Sequence, residues 1–491
     1  MTRWRFTNCW RSLAAGLILL PACGCALMRK DTSPLPEIQS ERIRVAIAQD
    51  APAGEWPRSR WWQRYQDPQL DALVARAIQD APAMKVARER VQASQARAAQ
   101  VKAATGPMLG LSGTVDREAV SRNGFLGPFY NNMPAAGFTG PWYTEGTVGL
   151  EGGYQFDPWG KDKALVEAAL GAHRAQQAEL AETELVLSTW VVQTYYQFQA
   201  AHATLANLER TRNLLDDCCV GHSARVRRGL EERGAADLAQ ARMLEKEGQI
   251  QAVRQQILIL REQLRCLVGA GPDDFPELLP APLPAAAGGP LPSLGFELLA
   301  RRPDLQAMRW HIQASLSQVE AAKAAFYPSF DLRVFFGFDA LHTNDLLRTE
   351  SRQINFLPGV YLPLFDSGRL NAGLAQARAQ SNTAIAAYNQ AVVEAVRQVA
   401  QCGIQVDSLE QQLHLQAAEL EAVTSVQAGV EAKHARGLVD RVARAESELP
   451  VLAEQGKWIQ LRQGRILAEI GLVRALGGGF RAETPAPAAR N

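Results

Sequence analysis

The side chains able to do chemistry are present in this chain, but not at the spacings that chemistry needs. Seven cysteines and seven histidines are scattered through 491 residues. Cys218 and Cys219 are adjacent, Cys266 and Cys402 lie far from them, and no C-x-x-C pair or Cys/His set has zinc-ligand spacing. There is no H-E-x-x-H zinc helix, no phosphate-cradling P-loop, no G-x-S-x-G nucleophile turn and no G-x-G-x-x-G following a strand. Carboxylates recur in pairs, as on any charged helix, without a spacing that implies a cleft for acid–base work. An enzyme, a metal centre and a bound cofactor are therefore not expected. The formal net charge of +1 also excludes a broad nucleic-acid-binding surface, which needs a basic excess.

One cysteine cluster has a clear chemical reading. Arg3, Arg5 and Arg11 form a basic leader, and Leu13 to Leu20 is an apolar run too short to span a bilayer as a helix. Pro21-Ala22-Cys23-Gly24-Cys25-Ala26 follows. This is the pattern of an exported bacterial lipoprotein, whose first mature residue is an acylated Cys. The small Gly24 and Ala22 before it favour Cys25 as the lipid anchor, with Cys23 the alternative and residues 1–24 a signal peptide. Several acyl chains hold firmly, at about 0.8 kcal/mol per buried CH₂.

The remainder must position whatever function exists, and it is written twice. Pro82 and Pro107 reappear as Pro303 and Pro328, and Phe156-Asp157 as Phe365-Asp366. Arg228-Gly229-Leu230 reappears as Arg436-Gly437-Leu438, and Gly269 and Gly271 as Gly477 and Gly479. Five collinear matches at a nearly constant offset indicate a duplicated unit. The chain then divides into an N-terminal anchor segment (25–80), a first repeat (81–271), a proline-rich linker (272–298), a second repeat (299–479) and a flexible tail (480–491).

Each repeat reads helix, strand, loop, strand, long helix, turn, long helix. The strands alternate with period two. Leu109, Leu111 and Val115 oppose Ser112, Thr114 and Asp116, while Val148, Leu150, Tyr154 and Phe156 oppose Thr147, Glu151 and Gln155. In the second repeat Phe330, Leu332, Val334, Phe336 and Phe338 oppose Ser329, Asp331, Arg333 and Asp339, with Phe335 and Gly337 as exceptions. Its partner carries Ile354, Phe356, Val360, Leu362 and Leu364, interrupted by Pro358. The expected strands are 108–117, 146–156, 329–339 and 354–365. In an exported lipoprotein such strands suit lipid on one side and water on the other. Four strands cannot close a barrel, and open edges are not tolerated in lipid. Copies of the chain must therefore pool strands, and three copies give twelve, enough for a barrel with a lumen.

Long helices fill the rest: Lys161 to about Asp216, Gly234 to Val268, Arg369 to Glu431 and Leu438 to Leu476, with Pro450 the one expected kink. A helix of about 55 residues is roughly 80 Å long, a length suited to a coiled-coil rod or a helical tube. Turns of the two hairpins are placed at about 220–234 and 432–440, with Gly229 and Gly437 supplying the left-handed backbone that ends a helix.

Together these stretches resemble the outer-membrane factor family, the TolC-like efflux lipoproteins. The resemblance runs over Gly24-Cys25-Ala26-Leu27, Trp61-Trp62, Asp67-Pro68-Gln69-Leu70-Asp71 and Arg301-Arg302-Pro303-Asp304-Leu305. It continues through Phe326-Tyr327-Pro328, Leu362-Pro363-Leu364-Phe365-Asp366-Ser367-Gly368-Arg369-Leu370 and Leu476-Gly477-Gly478-Gly479. It implies a mixed α and β fold: a homotrimeric, twelve-stranded outer-membrane β-barrel, four strands per chain, continued by a long periplasmic α-helical barrel. Segments 25–80 and 272–298 would lie at its equator. The implied role is the passive exit duct of a tripartite multidrug efflux pump, fed by an inner-membrane transporter and a periplasmic adaptor. The resemblance gives Arg228, Gly229, Leu230, Arg436, Gly437 and Leu438 the role of adaptor-contact tips. It gives Val442 and Glu446 the role of a periplasmic gate, an apolar constriction and an acidic ring. A channel for type I protein secretion is the alternative use of the same architecture. A periplasmic adaptor with a long hairpin is disfavoured by the four alternating strands.

Overall fold

The computed structural model describes residues 28, 31–38, 60–121, 123–124, 142–284 and 302–480. The chain is mostly helical with one small sheet. Its helices are α1 (Pro68–Asp80), α2 (Pro82–Ala104), α3 (Lys161–Arg227), α4 (Arg233–Val268), α5 (Pro303–Ala324), α6 (Arg369–Ala435) and α7 (Arg441–Ala475). Its strands are β1 (Met108–Ala119), β2 (Trp142–Phe156), β3 (Ser329–Ala340) and β4 (Arg352–Tyr361). Among the described residues no helix is long and apolar enough to cross a membrane.

The duplication is visible element by element. Helices α3 and α6 each have 67 residues, and α4 and α7 have 36 and 35. At 1.5 Å per residue the long pair measures about 100 Å each. Both long helices start from the same device. The Asp157 carboxylate accepts from the backbone N–H of Lys161 (2.7 Å) and Lys163 (3.0 Å). Asp366 accepts from Gly368 (3.0 Å) and Leu370 (2.7 Å). Each satisfies N–H groups that have no partner inside the helix.

The structure divides into two compact units. The first comprises residues 1–36, 93–173 and 310–385, and the second 37–92, 174–309 and 386–491. The first holds the sheet, in the order β1-β2-β3-β4 with every neighbour antiparallel. Register puts Leu111 beside Leu150, Leu150 beside Phe336, and Phe336 beside Ile354. It likewise aligns Phe156, Phe330 and Val360. One face is thus apolar across all four strands, and it is uncovered: Leu111 is 76% exposed and Phe356 71%. The opposite face carries Thr114, Asp116, Thr147, Glu151, Gln155, Asp331 and Asp339. Phe335, the exception in the alternation, sits on this polar face where Gly149 pairs with Gly337. A Cβ at Gly149 would lie 2.7 Å from the Phe335 ring, so the two glycines make the ring's seat.

Strand limits differ from expectation in ways the backbone explains. Strand β2 begins at Trp142 because Trp142 to Glu145 pair with Asp116 to Ala119. Strand β4 stops at Tyr361: Pro363 has no N–H to donate, and Phe365 beyond it is 89% exposed. Pro358 does not interrupt β4: it keeps register with Leu332 in an edge strand, where a proline is tolerated. In this unit residues 28 and 31–36 lie against the helices. Met28 packs on Val319, Phe326 and Leu374. The Asp31 carboxylate is held by Arg378 and, at 3.0 Å, by Lys323.

The second unit has the main core, where Trp61, Trp62, Leu70, Tyr195, Tyr196, Leu264 and Ile470 belong to one buried cluster. Helix α1 is capped by Asp67, which accepts from Gln69 (2.9 Å) and Leu70 (3.2 Å), with Pro68 in the first turn. The Tyr195 hydroxyl donates to the same carboxylate at 2.6 Å. The described part of the linker is folded onto this core. Phe275 and Leu278 are buried, and Gln69 and Gln199 bond the backbone of Leu279 and Ala281.

Candidate functional site

The two hairpin turns of the second unit are built alike. After α3, the N–H of Leu230 donates to the Arg225 carbonyl (2.9 Å) and that of Gly229 to Val226 (3.0 Å). After α6, Leu438 donates to Lys433 (3.0 Å) and Gly437 to His434 (2.9 Å). These paired bonds, closed by a left-handed residue, are the Schellman ending of a helix. Gly229 has φ 70° and Gly437 φ 73°. A Cβ at either glycine would meet nothing within 4 Å, so glycine is required there for its backbone and not for space. The leucine that follows usually folds back on the helix, yet Leu230 is 73% and Leu438 69% exposed. Both turns therefore present a bare apolar knob.

Helix α3 stays helical through Cys218, Cys219 and Gly221 and ends only at Arg227, so the first turn is shorter than the expected 220–234. Close packing explains the unbroken glycine: a Cβ on Gly221 would lie 2.2 Å from the Val442 side chain. Val442, expected as an apolar constriction, is 6% exposed and seated on Gly221. It glues α7 to α3 and does not stand free.

Glu446, one turn along α7, keeps about half its side chain exposed and meets His222 of α3, Oε1 to Nε2 at 3.2 Å. The other ring nitrogen, Nδ1, lies 2.8 Å from Glu231 of the first turn. Beside it Arg225 binds Asp440, the N-cap of α7, whose carboxylate also accepts from Ala443 N–H at 3.0 Å. The Ala443 N–H and then Arg225 hold the Asp440 carboxyl below the usual range. Arg444 Nε donates to Glu431 at 2.7 Å and ties α7 back to α6. The Cys218 thiol is pushed up to about 11, by burial first and then by nearby Glu446, so it carries no reactive thiolate. Among the described residues there is no group of His, Cys, Asp or Glu able to hold a metal ion.

Of the residues singled out in the sequence, the structure brings Val442 and Glu446 onto α3 at the base of the first turn. The tip triplets occupy the two turns, Arg228, Gly229 and Leu230 in one and Arg436, Gly437 and Leu438 in the other. Cys25 and Cys23 lie outside the described residues. Sequence reasoning missed Gly221, His222, Arg225 and Glu231. No local pattern marks them, because His222 meets a partner 224 residues away.

A family model described as outer membrane efflux protein matches residues 73–270 and 294–478, one stretch in each half of the chain. The multidrug resistance outer membrane protein MdtP of Shigella flexneri is 45% identical over 459 residues, 94% of this chain and 94% of its own. The outer membrane protein VceC of Vibrio cholerae superposes with a TM-score of 0.74 at 27% identity, covering 87% of this chain and 100% of VceC. The Campylobacter jejuni CmeC outer membrane channel shares the fold at 15% identity, with a TM-score of 0.78 over 93% of this chain and 96% of CmeC. Matched in both halves and nearly half identical to a relative over most of its length, the chain belongs to the outer membrane efflux protein family.

Proposed function

We propose that this protein is the outer-membrane exit duct of a tripartite multidrug efflux pump. Three copies pool four strands each into one twelve-stranded barrel, and their long helices form a periplasmic tube. Small toxic molecules pass through it after delivery by an inner-membrane transporter and a periplasmic adaptor. A water-filled tube has no means of using ATP or a proton gradient, so the energy comes from those partners. An acylated Cys25 anchors the chain in the outer membrane. The exposed leucines of the two turns meet the adaptor. Glu446 contributes an acidic ring to a periplasmic gate, and Val442 braces α7 against α3 behind it.

The observation that carries this reading is the sheet. Among the described residues it has an apolar, uncovered face and two unpaired edges, β1 and β4. In lipid an unpaired backbone group costs several kcal/mol, so those edges need partners, and another copy supplies them without a new fold. The test is to fractionate membranes from cells fed labelled palmitate and size the detergent-extracted particle. A palmitate-labelled trimer from the outer membrane is expected. A soluble or inner-membrane monomer would overturn the duct.

A further inference from the structure

We infer that Arg117 and Arg352 form, at each seam between copies of the proposed barrel, a binding site for the phosphate groups of an outer-leaflet glycolipid. The inference rests on the duct reading, in which the apolar sheet face meets lipid. Its ground is the division of charge between the two faces of the sheet. Register places six carboxylates on the polar face, Asp116, Glu118, Glu145, Glu151, Asp331 and Asp339. The one guanidinium there, Arg333, donates to Asp331 at 3.2 Å. Among the described strands the apolar face carries two charged residues, and both are arginines: Arg117, in register with Thr144, and Arg352, in register with Phe338. A residue that merely ended the apolar band would tolerate either sign, since charges near the interface cost little and carboxylates no more than arginines. These strands are rich in carboxylates, yet none lies on this face. Its restriction to cations points to an anion outside it.

Position identifies the anion. All four strands join their helices at the same end: β1 follows α2, β2 leads into α3, β3 follows α5 and β4 leads into α6. Arg117 lies near the last residue of β1 and Arg352 is the first residue of β4, so both stand at the opposite end. With the helices in the periplasm, that end lies in the outer leaflet, which in Gram-negative bacteria is built of phosphorylated glycolipid. Arginine suits a phosphate because its planar fork donates two parallel hydrogen bonds. Both side chains are exposed. The Arg117 guanidinium lies 5.7 Å from the centre of the Trp142 ring, a side chain suited to the boundary between hydrocarbon and headgroups. The two arginines sit on the edge strands, β1 and β4. Closing the barrel sets β1 of one copy beside β4 of the next. Each seam therefore collects one arginine from either side, and the site is incomplete in a single chain.

The test uses the full-length oligomer, extracted in mild detergent, stripped of lipid and titrated with bis-phosphorylated lipid A, with occupancy read by native mass spectrometry. The wild type is expected to take up lipid A at its seams. Arg117→Gln combined with Arg352→Gln should weaken that binding about 25-fold, about fivefold for each arginine. Dephosphorylated lipid A should bind the wild type as weakly as lipid A binds this variant. Arg117→Lys combined with Arg352→Lys should recover part of the loss, because the charge returns without the fork. Arg333→Gln, on the polar face, should bind as the wild type does. Equal binding by the wild type and the double Gln variant would overturn the site, as would equal binding of lipid A with and without its phosphates. Oligomer yield in outer-membrane fractions separates the two readings. A wild-type oligomer there that shows no phosphate-dependent binding removes this site and leaves the duct. Absence of any outer-membrane oligomer removes the duct, and the site with it.

Discussion

Glu446 and Asp31 illustrate how much one carboxylate depends on its setting. Glu446 is half exposed and lies 3.2 Å from His222, so removing it leaves little unsatisfied and costs the fold little. Glu446→Ala is therefore expected to preserve the oligomer and raise closed-channel conductance in planar bilayers. Unchanged conductance would remove it from the gate. Asp31, by contrast, is largely covered and held by Arg378 and Lys323, and chiefly the Arg378 bond lowers its carboxyl to about 2. Because the folded value lies below the free one, its contribution is complete above about pH 4 and is lost as pH falls towards 2. Hydrogen-exchange protection factors of residues 31–38 should be high in the wild type at pH 5, low in Asp31→Ala, and unchanged between pH 5 and 8. Only the first of these two roles had a trace in the sequence. Glu446 follows a turn motif that can be matched by eye, whereas Asp31 meets its partner 347 residues away.

Elements are set by glycines with two distinct tasks. Gly229 and Gly437 end helices in left-handed backbone with open space around them. Replacing both with Val costs about 1–2 kcal/mol at each turn and swings the leucines away from their present exposure. Drug resistance in complemented cells should be lost while the detergent-extracted oligomer persists. Unaltered resistance would sink the docking role of the turns. Gly221 does the opposite job, within a regular helix, by admitting Val442. Gly221→Ala should push α7 off α3 and make the channel leak, and Val442→Ala in the same chain should restore closure by returning the space. The helices themselves were legible, since long runs free of Pro and Gly have few alternatives. That α3 passes through Gly221 was not, because an isolated glycine in a helical pattern reads equally as a stop or as a packing site.

For the whole molecule the deciding surface is the apolar sheet face. A charge placed at its centre would cost roughly 2–4 kcal/mol in a bilayer and far less in water. Phe336→Arg, on β3, is thus expected to cut the yield of outer-membrane oligomer severalfold, while Thr147→Arg on the polar face leaves it near normal. Equal yields in membrane fractions would mean that this face does not meet lipid. In the proposed twelve-stranded barrel the oligomer is the folding unit, because the four-stranded sheet of one chain does not satisfy its own edges.

The sequence by itself determined the duplication, the order of helices and strands within each repeat, the alternating strands and the presence of a glycine turn between the long helices. All of these are local: a proline or glycine at a fixed place, a period of two, a run without breakers. Tertiary structure alone decided which residues meet across the duplication. It put Val442 on Gly221, His222 between Glu231 and Glu446, Asp31 between Arg378 and Lys323, and Phe335 over Gly149 and Gly337. The reason is geometric. Helices about 100 Å long bring together side chains separated by hundreds of residues. A small change in their rotation exchanges one neighbour for another without altering any local pattern.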